Sequence, residues 1–327
     1  MNAMNVAITR KTHRAAEELL GSAGCGVWTN PHDRALTPAE LREAAAGSDA
    51  TICMLSDAIG AGLFAAAPRC RIYANYAVGH NNMDAAAAAR AGVALCNTPD
   101  VLTDATAELA WALLFAVARR VPEGDRMVRE GRFHGWAPLM LLGHDVGGRT
   151  LGIIGAGRIG AAMARRAAGF AMPVLYTRRS GRSPEMDALG ARHVSLDELL
   201  RESDYISIHC PLTTETRHMI GATQFAIMKP GAIIINTARG AVIDERALAA
   251  ALREGRIAGA GLDVYEHEPD IEPELPAMSN TVLLPHIGSA TFDTRRRMAE
   301  LAARNILDYF EGRVPRTCLN PGTIGRR

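Results

Sequence analysis

The sequence predicts an α/β protein built on parallel sheets and divided into two domains. Short apolar runs typical of buried strands alternate with helix-like segments along most of the chain. A chain of 327 residues is long enough for two domains with substantial cores. Segment 150–180 has the pattern of one strand, turn, helix and second strand.

The N-terminal region is predicted to form a parallel sheet covered by helices. Its strand candidates are 6–8, 26–28, 51–55, 71–74 and 93–95, and its helix candidates are 14–20, 38–46 and 84–91. Thr37 before Pro38 places a capping hydroxyl just before a first-turn proline. This region has no glycine fingerprint, so we do not expect it to bind a dinucleotide. Two loops, 55–57 and 75–84, follow strands at the edge where open sheets bind ligands.

A turn at 97–100 leads to a helix predicted over 103–120. This helix is apolar on all sides, which indicates burial at an interdomain hinge, at a subunit interface or in a deep core. Glycines and loop-like residues follow over 131–148.

Segment 150–180 carries a dinucleotide-binding pattern. Gly155, Gly157 and Gly160 have the G-x-G-x-x-G spacing between an apolar strand and an alanine-rich helix. The first glycine permits the sharp turn, the second permits close approach of a pyrophosphate, and the third permits close packing of the helix. Ala156, Arg158 and Ile159 lie between them, where helix amides face the phosphates. A second strand, 174–176, completes the Rossmann unit.

The end of that second strand indicates which cofactor binds. An acidic residue usually holds the ribose 2′-hydroxyl of NAD(H), but this chain has Thr177, Arg178, Arg179 and Ser180 there. Two guanidiniums and two hydroxyls suit a 2′-phosphate. The sequence therefore favours NADP(H), with NAD(H) as the alternative cofactor and a solvated basic turn as the alternative interpretation.

The rest of the chain continues the α/β alternation. A capped helix is predicted at 195–200, strands at 205–208, 232–235, 261–264 and 281–284, and a long amphipathic helix at 290–312. Polar residues follow these strands, so Arg239, Asp263, Glu268 and His286 are expected along one sheet edge.

Composition excludes several function classes. The 36 basic and 35 acidic residues are balanced, which favours neither a nucleic-acid partner nor a membrane surface. The six cysteines lie far apart in sequence without a C-x-x-C pair, which indicates reduced thiols and neither a disulfide framework nor a metal site. No signal-peptide pattern or membrane-length apolar run is present, so a cytoplasmic protein is expected.

Six ordered motifs resemble one family over nearly the whole chain. They are NTPDVLTDATAELAWALL, GIIGAGRIG, HCPLT, NTARG, GLDVYEHEP and LPHIGSA. Together they resemble the D-isomer-specific 2-hydroxyacid dehydrogenases, especially the glyoxylate/hydroxypyruvate reductase branch. The resemblance implies a flavodoxin-like discontinuous substrate domain, 1–101 with 288–327, an NAD(P)-binding Rossmann domain, 102–287, a cleft between them, and a homodimer.

The resemblance also implies a catalytic set of Arg239, Glu268 and His286, and the chemistry of these groups agrees. A guanidinium can bind the carboxylate of a 2-oxo acid and polarise its carbonyl, as we expect of Arg239. His286 can protonate the oxygen that becomes negative as hydride arrives at the carbonyl carbon. Glu268 would orient the imidazole. Taken singly, each residue has a structural alternative, including an ion pair between Arg239 and Asp244. His209, His267 and Glu266 are not expected to be catalytic.

Further site residues rest on the resemblance alone. The amides of Val78 and Gly79 would bind the substrate carboxylate, and Leu55 and Ser56 would border the pocket. The implied cofactor contacts are Thr103, Cys210, Pro211, Thr237, Ala238 and Asp263, the last with the nicotinamide carboxamide. Trp136 of the partner subunit would reach the substrate site; its alternative is a loop anchor.

The sequence therefore predicts an NADPH-dependent reductase of glyoxylate and hydroxypyruvate. One alternative is an NAD-dependent dehydrogenase of another D-2-hydroxy acid, and another is a dinucleotide-sensing protein that resembles transcriptional co-repressors. Phosphite oxidation is disfavoured because Val78 stands where that branch has lysine.

Overall fold

The computed structural model describes residues 4–324 and divides them into two compact units. One unit is discontinuous and contains the described residues up to Leu102 and from Ser289 onward. The other unit, Thr103–Gly288, is inserted between these two parts. Each unit is built on its own sheet of parallel strands.

The elements of the described residues follow in chain order. The strands are β1 Asn5–Ile8, β2 Gly26–Thr29, β3 Ala50–Cys53, β4 Ile72–Asn75, β5 Ala94–Cys96, β6 Leu151–Ile154, β7 Val174–Thr177, β8 Arg192–His193, β9 Tyr205–Ile208, β10 Ile233–Asn236, β11 Gly259–Leu262 and β12 Thr281–Leu283. The α-helices are α1 Ala15–Ser22, α2 Pro38–Ala46, α3 Ala61–Ala66, α4 Ala85–Ala91, α5 Thr103–Ala118, α6 Val121–Arg129, α7 Arg158–Ala167, α8 Pro184–Ala188, α9 Leu196–Glu202, α10 Ala222–Ile227, α11 Glu245–Arg253 and α12 Phe292–Phe310. Short 3₁₀ helices occur at Ala168–Phe170, Gly240–Val242, Leu275–Ala277 and Pro321–Thr323.

The discontinuous unit has the flavodoxin-like strand order β2-β1-β3-β4-β5. All its strand pairs are parallel, with Val6 opposite Val27 and Ala50 opposite Ile72. Helix α12 packs on α1, β4 and β3, so residues after the insertion complete the core of this unit. The functions of the two units as substrate and cofactor domains stay predictions.

Local capping signals explain the starts of three helices in this unit, α2, α4 and α12. Thr37 accepts the amide of Glu40 while the Glu40 carboxylate accepts the amide of Thr37, which is a complete capping box before Pro38. Asp84 caps α4 through the amide of Ala87, and Thr291 caps α12 through that of Thr294. Each cap satisfies a backbone amide that would otherwise lack a helical partner.

The inserted unit has the strand order β12-β11-β10-β9-β6-β7-β8. Counted from β6, this is the doubly wound 3-2-1-4-5-6 order with one further parallel strand, as predicted for a Rossmann domain. Helix α5 packs on α7, β10 and β11, and the Trp111 indole donates to the carbonyl of Met163 at 3.3 Å. Of the three interpretations of its apolar faces, packing in a core therefore accounts for α5.

The structure corrects several element predictions. The helix predicted over 103–120 ends at Ala118, because Arg120 adopts a left-handed conformation with φ 53° and a new helix, α6, follows with Pro122 in its first turn. Sequence analysis missed α3, α6, α8, α10, α11 and β8. Most of these are too short to show a clear apolar period.

No helix in residues 4–324 is both long and apolar enough to cross a membrane. Within the same residues, no group of three or more His, Cys, Asp or Glu side chains has an arrangement that could hold a metal ion. The cytoplasmic location stays a prediction.

Candidate active site

The inserted unit brings His286 and Glu268 into direct contact. The Nδ1 atom of His286 lies 2.8 Å from Oε2 of Glu268, and both side chains are about one-third exposed. The other carboxylate oxygen of Glu268 accepts the backbone amide of Tyr265 at 3.0 Å. Burial raises the pKa of Glu268, but His286, the Tyr265 amide and Arg239 outweigh it and leave that pKa below its ordinary value. The carboxylate is therefore ionised and fixes one ring nitrogen of the histidine.

Arg239 lies just beyond the carboxyl end of β10. Its Nη1 donates to the carbonyl of Ala238 at 2.6 Å, and burial lowers its pKa while the charge of Glu268 raises it. A guanidinium stays protonated in spite of such burial. Asn236 holds the turn, because its amide nitrogen donates to the Arg239 carbonyl and its oxygen accepts the Ala238 amide. The Asp244 carboxylate accepts the amide of Ala247 at 3.1 Å and so caps the start of α11, which is a structural role.

The loop that carries His286 is held by Asp263. The two oxygens of the buried Asp263 carboxylate accept the amides of Ile287 and Gly288, each at 2.7 Å. His286 itself has φ 55°, a left-handed conformation that is uncommon for a residue with a side chain. Burial raises the pKa of Asp263, whereas the two amides and His286 lower it. Two charge-assisted hydrogen bonds thus stabilise the backbone geometry that directs the imidazole. A contact of Asp263 with the nicotinamide carboxamide stays a prediction.

A second buried acid, Glu245, holds the loop that carries Glu268. One of its oxygens accepts the amide of Glu266 at 2.5 Å and the other that of Glu272 at 3.2 Å. Glu266 is engaged elsewhere, because its carboxylate accepts Arg217 at 2.6 Å and lies 2.7 Å from Nε2 of His218. Of the two acids in this segment, Glu268 is therefore the one that contacts His286.

The glycine loop packs closely at two of its glycines and has open space beside the third. Gly155 has φ 96°, and a Cβ there would lie 2.4 Å from the Cys210 amide nitrogen. A Cβ on Gly160 would lie 2.4 Å from the Gly155 carbonyl oxygen, so α7 can approach β6 only without a side chain. A Cβ on Gly157 would meet nothing within 4 Å, which leaves open space beside the backbone. Gly157 precedes α7 without a side-chain cap, and Arg158, Ile159 and Gly160 form the first turn.

The turn after β7 presents cationic and hydroxyl groups. Arg178 donates from Nε to the Ser180 hydroxyl at 2.6 Å. Arg179 and Ser180 are exposed, and Arg179 lies 3.8 Å from the exposed carboxylate of Glu215. Exposed pairs at that distance contribute little free energy, so Arg179 can exchange this partner readily.

The remaining residues predicted to contact the cofactor lie in the inserted unit at element ends. Thr103 begins α5, and Cys210 with Pro211 follows β9. Thr237 and Ala238 follow β10; Thr237 is buried, and its hydroxyl has no hydrogen-bond partner. A buried hydroxyl without a partner at the end of a Rossmann strand fits a site completed by a ligand. His209 lies beside Ser207 at 2.8 Å, and burial lowers its pKa to about 4, so it is neutral near pH 7.

In the discontinuous unit, asparagines fix the loop that contains Val78 and Gly79. Asn97 donates to the carbonyl of Val78 and Asn75 to that of Gly79, each at 2.8 Å. The Ala77 carbonyl accepts the amide of Thr98 at 2.9 Å. In a trans peptide the amide points opposite to the preceding carbonyl, so the Val78 and Gly79 amides point away from Thr98 and Asn97.

The loop with Leu55 and Ser56 is fixed in the same unit. The buried Asp57 carboxylate accepts the Met54 amide at 2.8 Å and the Thr9 hydroxyl. Asn82 donates to the carbonyls of Met54 and Asp57, each at 3.0 Å. Burial raises the pKa of Asp57, although the Met54 amide and the Thr9 hydroxyl lower it.

Trp136 is 81% exposed, so it does not anchor its loop against its own chain. Other apolar side chains from α6 and the following loop are also exposed: Val121, Val128, Phe133, Leu139 and Leu142. Such a concentration of apolar surface in one segment is typical of an interaction site.

Sequence reasoning missed Asn75, Asn82, Asn97, Glu245 and Tyr265 as supports of the site. The loop 75–84 contains Asn75 and Asn82, and the turn 97–100 contains Asn97. Nothing in their local sequence shows which carbonyls these side chains bind. Tyr265 supports the site through its backbone amide, and every residue type except proline has such an amide, so the residue type gives no signal.

Several known proteins resemble this chain over nearly its whole length. The sequence profile of the D-isomer specific 2-hydroxyacid dehydrogenase NAD binding domain matches residues 111–288. The chain is 52% identical to a glyoxylate reductase of Thermococcus onnurineus (strain NA1) over 306 residues, which cover 92% of this chain and 91% of that relative. It is 35% identical to the crystal structure of a glyoxylate reductase from Paecilomyes thermophila, with a TM-score of 0.87 and coverage of 98% and 99%.

A further solved structure was determined with a cofactor. It is the NADPH-dependent glyoxylate/hydroxypyruvate reductase from Sinorhizobium meliloti in complex with NADP and malonate. This chain is 31% identical to it, with a TM-score of 0.86 and coverage of 100% and 99%. The chain therefore belongs to the D-isomer specific 2-hydroxyacid dehydrogenase family, in its glyoxylate reductase branch, and is an NAD(P)-dependent D-2-hydroxyacid dehydrogenase.

Proposed function

We propose that this enzyme uses NADPH to reduce small 2-oxo acids, with glyoxylate and hydroxypyruvate as its substrates. The observation that carries the proposal is the 2.8 Å contact between His286 and an ionised Glu268, with Arg239 close enough for its charge to act on the same carboxylate. The relatives named glyoxylate reductase support the choice of substrate. Reduction of glyoxylate gives glycolate, and reduction of hydroxypyruvate gives D-glycerate.

The three side chains divide the chemistry between them. Arg239 binds the substrate carboxylate and polarises the adjacent carbonyl, since a guanidinium offers several donors in one plane. His286 donates a proton from Nε2, because Nδ1 is held by Glu268. Glu268 keeps the ring in one orientation through its contact with Nδ1. The bound nicotinamide supplies the hydride.

The cofactor is held by the glycine loop and the turn after β7. The first amides of α7 would bind the pyrophosphate, for which the open space beside Gly157 leaves room. Arg178, Arg179 and Ser180 bind a 2′-phosphate, for which the turn offers no competing acid. Thr103, Cys210, Pro211, Thr237, Ala238 and Asp263 stay predicted cofactor contacts.

The substrate carboxylate is also bound by the amides of Val78 and Gly79. Their preceding carbonyls are fixed by Thr98 and Asn97, so the amides need no reorganisation when an anion arrives. Leu55 and Ser56 border the substrate. The discontinuous unit is, in this proposal, the substrate-binding domain.

The enzyme functions as a homodimer through the exposed apolar segment 121–142. Trp136 of the partner subunit contributes to the substrate site, and the 81% exposure of Trp136 in a single chain supports this. Sedimentation of the parent chain and of Trp136→Ala tests the assembly. A monomeric parent chain would contradict it.

The test of the proposed reaction is the initial rate of reduced-nicotinamide oxidation with each acid, under limiting NADPH and limiting NADH. We expect turnover with both acids, a preference for NADPH, and a loss of kcat in Arg239→Ala. In Arg178→Ala the KM for NADPH should rise at least tenfold while the KM for NADH changes little. Arg201→Ala is the matched control, because Arg201 is an exposed arginine of the same unit that pairs with Asp197.

Each outcome has a separate meaning. A preference for NADH would overturn the cofactor assignment and leave the trio intact. Turnover confined to other 2-oxo acids would favour the alternative, a dehydrogenase of another D-2-hydroxy acid. Full activity of Arg239→Ala would contradict the role of that residue.

A further inference from the structure

Two cysteines of the discontinuous unit face each other across a short antiparallel bridge. Cys96 ends β5 and is paired with Cys318, which belongs to the segment after α12. The amide of Leu319 donates to the carbonyl of Leu95 at 2.7 Å, and that of Asn97 to the carbonyl of Thr317 at 3.4 Å. These bonds flank the two cysteines and do not join them directly. The pair therefore occupies a non-hydrogen-bonded position, where the Cα atoms of opposite residues are about 4.5 Å apart and the side chains are close.

That position suits a disulfide. Disulfides span Cα separations of about 4.4–6.8 Å, so the bridge needs little backbone movement to accept one. All six cysteines are free thiols, and the Cys318 thiol donates to the Asn320 side-chain oxygen at 3.6 Å. These two thiols are far apart in sequence and adjacent in the fold.

The two thiols differ in the ways that an exchange reaction requires. Cys96 is buried, whereas Cys318 is partly exposed and can be reached from solvent. The neighbouring Cys96 thiol lowers the pKa of Cys318, and the neighbouring Cys318 thiol together with burial raises the pKa of Cys96. Cys318 is therefore the thiolate that attacks, and Cys96 is the resolving thiol.

The other buried thiols of this unit have different partners. Cys70 lies 3.2 Å from the Thr51 hydroxyl, and Cys53 donates to the Asn75 side-chain oxygen at 3.7 Å. Both are buried, so they are protected from a soluble oxidant. Neither Cys53 nor Cys70 can therefore compete with Cys318 for the oxidant.

We propose that Cys96 and Cys318 are a redox-sensitive modification site that forms a reversible disulfide by exchange with a low-molecular-weight disulfide. The Cys318 thiolate attacks one sulfur of that molecule, breaks its S–S bond and releases one thiolate. Cys96 then attacks the Cys318 sulfur of the mixed disulfide and releases the second. The two protein thiols lose two electrons, the small disulfide gains them, and the two protons pass to the released thiols.

The disulfide would fix a segment that already binds β5. The Thr317 hydroxyl donates to the Asn97 carbonyl at 2.7 Å, and Asn320 accepts the amide of Leu95 and donates to the carbonyl of Val93. The bond would close a loop of about 220 residues in the unfolded chain, which raises the stability of the oxidised form. Oxidation is therefore expected to raise the thermal midpoint of the discontinuous unit without changing its fold.

The test treats the reduced, full-length chain with oxidised glutathione and digests it with trypsin without reduction. We expect peptides 91–119 and 317–326 to be joined, since each contains one cysteine. Dithiothreitol should separate them and reverse the rise in the thermal midpoint. In Cys96→Ser, glutathione should remain on Cys318. In Cys318→Ser, Cys96 should not react.

Cys25→Ser is the matched control, because it removes a partly exposed thiol of the same unit and should leave the 91–119 to 317–326 link intact. The proposal is overturned if glutathione stays on Cys318 of the parent chain without a link. It is also overturned if neither cysteine reacts, or if Cys96 links to Cys53 instead.

Discussion

Gly240→Ala should damage both the stability and the activity of the enzyme, although it adds only a methyl group. Gly240 is buried directly after Arg239. A Cβ there would lie 1.8 Å from the carbonyl carbon of Tyr265, 2.1 Å from its oxygen and 2.3 Å from the amide nitrogen of Glu266. All three are backbone atoms, so no side chain can rotate out of the way.

The size of the effect follows from these distances. Ordinary van der Waals contact begins at 3.4 Å, so the two segments must separate by about 1.6 Å. Overpacking of this kind costs about 1–3 kcal/mol, which lowers the thermal midpoint of a unit of this size by about 2–12 °C. The same movement displaces the Tyr265 amide that holds Glu268. Because a misplacement of about 1 Å can cost about 10²-fold in rate, kcat should fall by that factor.

Calorimetry and steady-state kinetics on Gly240→Ala and Gly231→Ala check this reasoning. Gly231 is the matched control, since it lies in the same unit just before β10 and a Cβ there would meet nothing within 4 Å. The control should keep the parent midpoint and kcat. If Gly240→Ala behaves like Gly231→Ala, the close approach of the two backbone segments is not as described.

Three other variants test separate contacts. Glu268→Gln keeps the shape of the side chain but removes its charge, so kcat should fall by about 10²-fold with a smaller change in KM. An unchanged kcat in steady-state kinetics would contradict the role of Glu268 beside His286. Burial lowers the pKa of His209 to about 4, against an ordinary value of about 6.5. As the pH falls from about 6.5 to about 4, the unfolded chain binds a proton that the folded chain does not, so the folded state loses stability over this range. Thermal midpoints at pH 7 and pH 5 should therefore differ more for the parent chain than for His209→Gln, and equal differences would refute the assignment. Asn97→Ala leaves the Val78 carbonyl without its side-chain donor, so the free energy of unfolding should fall by about 1–3 kcal/mol. The KM for the 2-oxo acid should rise by a larger factor than kcat falls. An unchanged KM would argue against Val78 and Gly79 as substrate ligands.

The features that the sequence predicts correctly are those determined by residues that are neighbours in the chain. Helix α2 was predicted with the bounds that the structure gives, because Thr37 and Pro38 mark its start in adjacent positions. The three glycines of the nucleotide loop likewise have their roles fixed by spacing within six residues. The parallel sheets were predicted from the alternation of strands and helices, and the observed strand orders agree with the two fold types that were expected.

The site could be predicted only in part, because its members come from separate segments. Nothing local indicates that Asp263 binds the amides of Ile287 and Gly288, which are 24 and 25 residues away. The trio of Arg239, Glu268 and His286 was identified through the family motifs, since spacing alone does not show which carboxylate meets the histidine. Packing of the surrounding loops, through Glu245 and Tyr265, makes that choice.

The discontinuous unit also determines the order in which the protein can fold during synthesis. Its first hundred residues leave the ribosome before α12, which packs on α1, β3 and β4. About 200 further residues must be translated first, which takes roughly 10–40 s at typical rates. The nascent sheet therefore waits with one face incomplete while the inserted unit, which is continuous in sequence, can finish folding. Chaperones that shield apolar surface on nascent chains should bind the first hundred residues during this interval and leave once α12 has emerged.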